Sequence, residues 1–159
     1  MAALRVDPGV LRRQAAAVEA VRAAISPHDL PAGFSPAGGD AASAAHATSI
    51  SAQAAQALTG LWQTWAALGK VSQTLSANAA GYEQQDDAGV AALSGGVAAP
   101  GATPAVVPEV APVVTPHVYT GVPATTPEAL ARSLREGAGA QSPQDFAERW
   151  RAHAGRIAQ

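Results

Sequence analysis

Large apolar residues mark one long stripe between Ala52 and Leu93. Leu58, Leu61, Trp65, Leu68, Leu75, Ala79 and Tyr82 follow one another mostly at gaps of three or four. That spacing sets them along one side of a helix. Ser72 is the polar interruption. A second stripe lies upstream, at Leu11, Ala15, Val18, Val21 and Ile25. It predicts a first helix opened by Asp7 as N-cap and Pro8 at the first helical position, and stopped by Pro27. Arg12, Arg13, Glu19 and Arg22 mostly avoid this stripe, as a solvated face should. Prolines and glycines between Pro27 and Gly39 make a loop. Asp40 is placed to cap a second helix over 41–93, with a kink allowed at Thr59-Gly60 and an end at Ser94-Gly95-Gly96.

Beyond Val97 the pattern changes. Pro100, Pro104, Pro108, Pro112 and Pro116 recur at intervals of four, and Glu109 is the only charge up to Thr126. No helix or central strand survives that proline density, so an extended, disordered tether is expected. Thr126-Pro127-Glu128 opens a short helix with Leu130 and Leu134 on one face. Ser142-Pro143 opens a last helix, whose stripe is Phe146, Trp150, Ala154 and Ile157. Phe146, Trp150 and Ile157 are the expected contact residues of this tail, which has too few large side chains to fold alone and should pack on a partner or fluctuate.

The fold expected is all-α. An antiparallel helix–loop–helix hairpin fills residues 1–94, a Pro/Ala/Val-rich linker 95–126, and a short two-helix tail 127–159. At 1.5 Å per residue the first helix is roughly 30 Å long and the second roughly 75–80 Å. One short helix cannot cover so long a stripe. Either the second helix folds back, or Leu58, Leu61, Trp62, Trp65, Leu68 and Leu75 meet another chain. Trp62 and Trp65 read first as hairpin core, with an anchor for a partner as the alternative.

Composition thins this picture. The chain has 41 Ala but only two Phe, two Tyr and three Trp among its 159 residues. Ala permits close helix approach but buries little area, so a thin helical interface is expected rather than a thick core. The net charge of −2 gives no pull toward nucleic acid or anionic membrane. Residues 41–69 carry no formal charge, yet Gln, Ser, Thr and His46 make them too polar for a stable membrane span. The N-terminal apolar run is broken by Glu19 and Arg22, unlike a Sec signal peptide. Cys is absent, which removes disulfides and thiolate sites.

No catalytic constellation is visible. His28, His46, His117 and His153 lack metal-ligand spacing and read as surface histidines. Asp86 and Asp87 are adjacent, so their carboxylates diverge on a helix. There is no Gly-x-Ser-x-Gly elbow, and Gly95-Gly96 follows a helix rather than preceding one, the wrong side for phosphate. No enzyme and no cofactor are expected. Tyr82 and Asp86, four apart, share a face near a helix C-terminus, where the helix dipole mildly opposes a carboxylate. Tyr82 either closes the stripe or has a use of its own.

Three features carry a resemblance. Leu4-x-Val6-x-Pro8-x-x-Leu11 enters the first helix. The long Ala-rich second helix follows. Ala79-Ala80-Gly81-Tyr82 and then Asp86 close it. Over about residues 1–94 the chain resembles cargo of the type VII (ESX) secretion pathway, most of all the EspC-like secretion-target proteins of actinobacteria, related to WXG and PE-type cargo. It departs from the WXG pattern in the hairpin loop, where Leu30-Pro31-Ala32-Gly33-Phe34 replaces a Trp-x-Gly. The tail, through Gly137-x-Gly139 and Trp150, more faintly resembles the start of PPE-type or WXG-like helical proteins. The resemblance implies a non-enzymatic protein, secreted or placed at the cell surface, with Tyr82 and Asp86 as export signal. Its implied partners are a helical WXG/PPE-like protein or a second copy, and the ATPase of the secretion machinery. Two other readings use the same features: a cytoplasmic adaptor or chaperone for a secreted helical protein, and a cell-surface spacer built on the proline tether.

Overall fold

The computed structural model describes residues 6–97, 101 and 104–158; Leu4 and Pro100 lie outside these. The described chain is all-helical, with α1 (Pro8–Ala24), α2 (Ala41–Leu93), α3 (Pro127–Glu136) and α4 (Gln141–Ile157). Asp7 caps α1, its Oδ1 accepting from the Gly9 N–H at 2.7 Å and the Val10 N–H at 3.4 Å. Asp40 caps α2, accepting from the Ser43 N–H at 2.9 Å and the Ser43 hydroxyl at 2.7 Å. α2 runs unbroken for 53 residues, through Thr59-Gly60. It ends at Gly95, whose φ of 71° is left-handed and suits glycine. The Gly96 N–H closes that end on the Ala91 carbonyl at 2.8 Å.

Two compact units divide the chain: Met1–Ala23 with Thr64–Val110, and Ala24–Gln63 with Ala111–Gln159. In the first, α1 runs antiparallel to the second half of α2. The Ser72 hydroxyl donates to the Ala15 carbonyl at 3.3 Å, and the Arg22 Nε donates to the Trp65 carbonyl at 3.2 Å. Ala15, Ala77 and Ala79 are its buried apolar residues. Small side chains here let the helix backbones approach closely, as the Ala-rich composition requires.

In the second unit the first half of α2 buries Ala44, Ala47, Ser51, Ala54, Ala55 and Leu58. These positions repeat at three and four, so a helical stripe exists here too, built mostly from small residues. Three pieces cover it. The 25–40 loop places the His28 ring edge-on to Trp62 at 4.6 Å. It also accepts the Ser51 hydroxyl on the Ala32 carbonyl at 2.9 Å. The proline segment 111–122 and α4 supply the rest.

The proline segment has neither helix nor strand, as its composition demands, but it is not a free tether. Its backbone N–H groups are taken up one after another by side chains of α2. Thr59 Oγ1 accepts from Val114 at 3.4 Å, Ser51 Oγ from His117 at 2.8 Å, and Thr48 Oγ1 from Tyr119 at 3.0 Å. Val122 then forms an isolated bridge with Asp40, its N–H donating to the Gly39 carbonyl at 2.9 Å. An extended chain has unpaired N–H groups, and hydroxyls on a helix surface are suitable partners for them. A Cβ on Gly121 would collide with the Asp40 carbonyl, so this crossing requires glycine.

The tail also departs from expectation. Thr126 caps α3 as predicted, accepting from the Ala129 N–H at 3.1 Å. Ser142 does not cap α4. That helix begins at Gln141, with Ala140 before it and no side-chain cap. Ser142 Oγ instead accepts from the Ser35 N–H at 2.9 Å. α4 thus packs on this chain's own loop. The Phe146 ring sits 5.3 Å from that of Phe34, and the Trp150 Nε1 donates to the Pro31 carbonyl at 3.3 Å. Among the described residues, no helix is long and apolar enough to cross a membrane.

Candidate functional site

The long helix ends in a groove. Tyr82, Gln85, Asp86, Gly89, Val90 and Leu93 of α2 form one wall, and Val6, Asp7 and Pro8 at the start of α1 form the other. Tyr82 is 39% exposed, while Val90 and Leu93 are 67% and 92% exposed. Asp86 is exposed as well. The pair singled out from spacing therefore opens onto solvent beside the α1 cap. Glu83, between them in sequence, faces α1 and forms an ion pair with Arg12. An accessible aromatic hydroxyl, two carboxylates and an apolar rim can bind a protein surface. Nothing in the set activates a nucleophile or polarises a bond.

The other residues marked in the sequence divide between the two units. Leu58 is buried, while Leu61, Trp62, Trp65, Leu68 and Leu75 are half-buried. Trp65 carries the Arg22 guanidinium over its ring, 3.6 Å from the centroid. Arg22 also contacts Glu19 at 3.2 Å and pairs with Glu109. Glu109, the lone charge of the proline segment, is thus a fastening point within the first unit. Val107 adds a second, its N–H donating to Gln73 Oε1 at 2.8 Å. Gly69 lies close beside this cluster, where a Cβ would press on the side-chain ends of Glu109 and Arg22. Of the tail residues, Phe146 and Trp150 are half-buried and Ile157 is 48% exposed.

Two polar residues do more than their sequence context shows. Asp40 is buried and also accepts from the Ser133 hydroxyl at 3.1 Å, tying α3 to the start of α2. Its three hydrogen bonds from Ser43 and Ser133 favour the carboxylate and hold its pKa below the ordinary aspartate value. His153, expected at the surface, is only 2% exposed. The Arg156 Nη2 lies 3.1 Å from its Nδ1 and donates to it, and Nε2 has no partner among the described residues. Burial, then the nearby Arg156 charge, push its pKa down. His153 lies three residues past Trp150 and four before Ile157, so helical spacing sets it on the stripe face; only its polar residue type hid this in the sequence. His28, His46 and His117 are exposed. The described residues contain no group of three side chains placed to hold a metal ion.

A family model described as "PE family" matches residues 4–89, more than half of the chain. No curated protein and no solved structure matches. The matched range ends three residues past Asp86 and leaves the proline segment and tail outside.

Proposed function

The chain belongs to the PE family, a family of helical hairpins associated with type VII secretion whose members typically pair with PPE proteins and are not known as enzymes; from that premise we propose a non-enzymatic cargo of the pathway. It is exported with a helical, PPE-like partner. Tyr82 and Asp86 are its address, read by the ATPase of the secretion machinery. The observation that carries this reading is their shared exposure in one groove at the end of α2. A tyrosine that only closed an apolar stripe would be covered by α1. A carboxylate in the last turns of a helix does not serve the helix, whose dipole it opposes. The EspC-like likeness rests on the same closing residues, and the export reading does not depend on it.

Tyr82→Ala and Asp86→Asn, each expressed in cells carrying the secretion system, test the proposal by immunoblot of culture filtrate and cell lysate. Both variants should accumulate in the lysate and vanish from the filtrate, with unchanged helical circular dichroism. Export of both at the wild-type level overturns it. A cytoplasmic adaptor is the second reading, and it predicts that the wild-type protein stays in the lysate.

A further inference from the structure

The second unit holds a surface that its own tail helix already occupies. α4 presents Ser142, Phe146 and Trp150 at intervals of four, hence along one line of the helix. Each meets a different feature of the unit. Ser142 takes the Ser35 N–H, Phe146 packs on Phe34, and Trp150 donates to the Pro31 carbonyl. Between the two helices Phe146 and Trp150 face Ile50, Ala54 and Ala57 across a small apolar notch. Loop and helix together make a seat that matches hydroxyl, phenyl and indole in order along a helix.

α4 is held by few buried side chains: it buries only His153 and leaves Phe146 and Trp150 half-exposed. α3, which precedes it, buries nothing and exposes Leu130 and Leu134. Few buried contacts mean a low free energy of local opening. His153, buried with an unpartnered Nε2 and beside Arg156, further weakens the fit.

We propose that this seat is a helix-docking surface, filled in cis by α4, whose release admits a helix of the same chemistry from a protein partner. The partner helix carries an aromatic pair four residues apart with an indole N–H at its second position. Such a helix buries its rings on Phe34 and the Ala face, and loses less to frayed ends than a short tail does. This deepens the reading of a chain that travels with a helical partner, and rests on it for the partner's class only. The surface itself is tested without export.

The probe is a fluorescein-labelled peptide of residues 140–158, added to the full chain. Two chains are compared: wild type, and Phe146→Ala/Trp150→Ala, whose own α4 no longer fills the seat. Fluorescence anisotropy should show binding to the double variant at least about tenfold tighter than to wild type, the difference being the cis competition that binding must overcome. A peptide carrying the same two alanines should not bind either chain. The Cys-free sequence allows a second readout on the full chain: a single Ala54→Cys, at a buried position of the notch, should react with a maleimide faster in the double-variant background. Equal peptide binding to both chains overturns the cis occupancy. No binding to a double variant that keeps its helical circular dichroism overturns the docking surface. Loss of that helical signal together with labelling as fast as in the urea-unfolded chain also counts against it, because α4 would then be part of the fold rather than its plug.

Discussion

The two halves of α2 are covered by different materials. The half in the first unit meets α1, helix on helix, through small residues and the cluster of Arg22 with Trp65, Glu19 and Glu109. The half in the second unit meets a loop, an extended proline segment and a tail helix, fastened by Ser51, Thr48, Thr59 and Asp40. Helix pairs satisfy their own backbones, so their contact can be apolar. Extended chain brings free N–H groups, so the helix beneath it must carry hydroxyls. The weakly helical run Thr48-Ser49-Ile50-Ser51 thus has a structural use. Two of its members hold the segment that lies over it.

If the extended cover depends on backbone crossing, the largest effect should come from a single methyl. Gly121→Ala places a Cβ on the Asp40 carbonyl. Relief needs backbone movement, and a cost of about 3 kcal/mol or more is expected. Hydrogen exchange should show the 111–136 region losing protection while α1 and residues 64–93 keep theirs. Equal loss in both regions would remove the distinction between the units. Leu58→Ala should come next. Leu58 is 3% exposed, and such a truncation costs roughly 2–5 kcal/mol. Half-buried Leu75, in the helix-on-helix unit, should lose about half as much on the same change. Chemical denaturation of the two variants ranks them directly, and the reverse order would place the firmer core under α1.

The units also differ in pH response, because among the described residues Asp40 and His153, whose pKa values are shifted, both lie in the second. His153 has a folded pKa below 6.5, so the unfolded chain binds its proton first. Stability is therefore full above about pH 6.5 and falls as pH drops from there through the lower folded value. Asp40 adds a second loss, present above 3.8 and lost as pH falls through its own depressed value. Trp150 fluorescence should follow the first step if Trp62 and Trp65 are replaced by Phe. His153→Gln should flatten the slope between pH 6.5 and 5 and leave the acid step unchanged. A slope that persists in His153→Gln would assign it to another group.

The helices were legible in the sequence because proline, glycine and capping residues punctuate them. Pro8, Asp40, Gly95 and Thr126 mark ends that the structure keeps. What covers α2 was not legible. A stripe search weights Leu and Trp and finds Leu58, yet Ala44, Ala47, Ser51 and Ala55 of the second unit are at least as deeply buried, and the eye passes over them in an Ala-rich chain. The proline segment reads as a spacer because proline rules out ladders. Its backbone N–H groups reach side chains 34 to 71 residues away, and no local signal reports those. Ser142 shows the same limit. Its spacing before Pro143 spells a cap, but a partner at Ser35 claimed its oxygen. Tyr82 and Asp86 were found because four-residue spacing alone puts them together. Asp7, across the groove from them, shows in the sequence only as a helix cap.

The smallest effect expected concerns the ion pair beside that groove. Arg12 and Glu83 join α1 to α2, with side chains 59% and 40% exposed. Exposed pairs contribute about 0–1 kcal/mol, because water screens the attraction and two long side chains lose rotamer freedom. Arg12→Ala should therefore shift stability by less than about 1 kcal/mol at physiological salt. The shift should shrink further in about 1 M salt, where the Debye length falls to about 3 Å. Arg22→Ala is the matching change at the other end of α1, where the guanidinium is 14% exposed, stacked on Trp65 and shared with two carboxylates. It should cost more and resist salt, since a stacked and half-dry cation is poorly screened. Thermal denaturation of both variants across a salt series separates the two behaviours. If Arg12→Ala proves the more costly of the two, α1 is held chiefly at its groove end, and the cluster on Trp65 serves mainly to hold Glu109 and the proline segment.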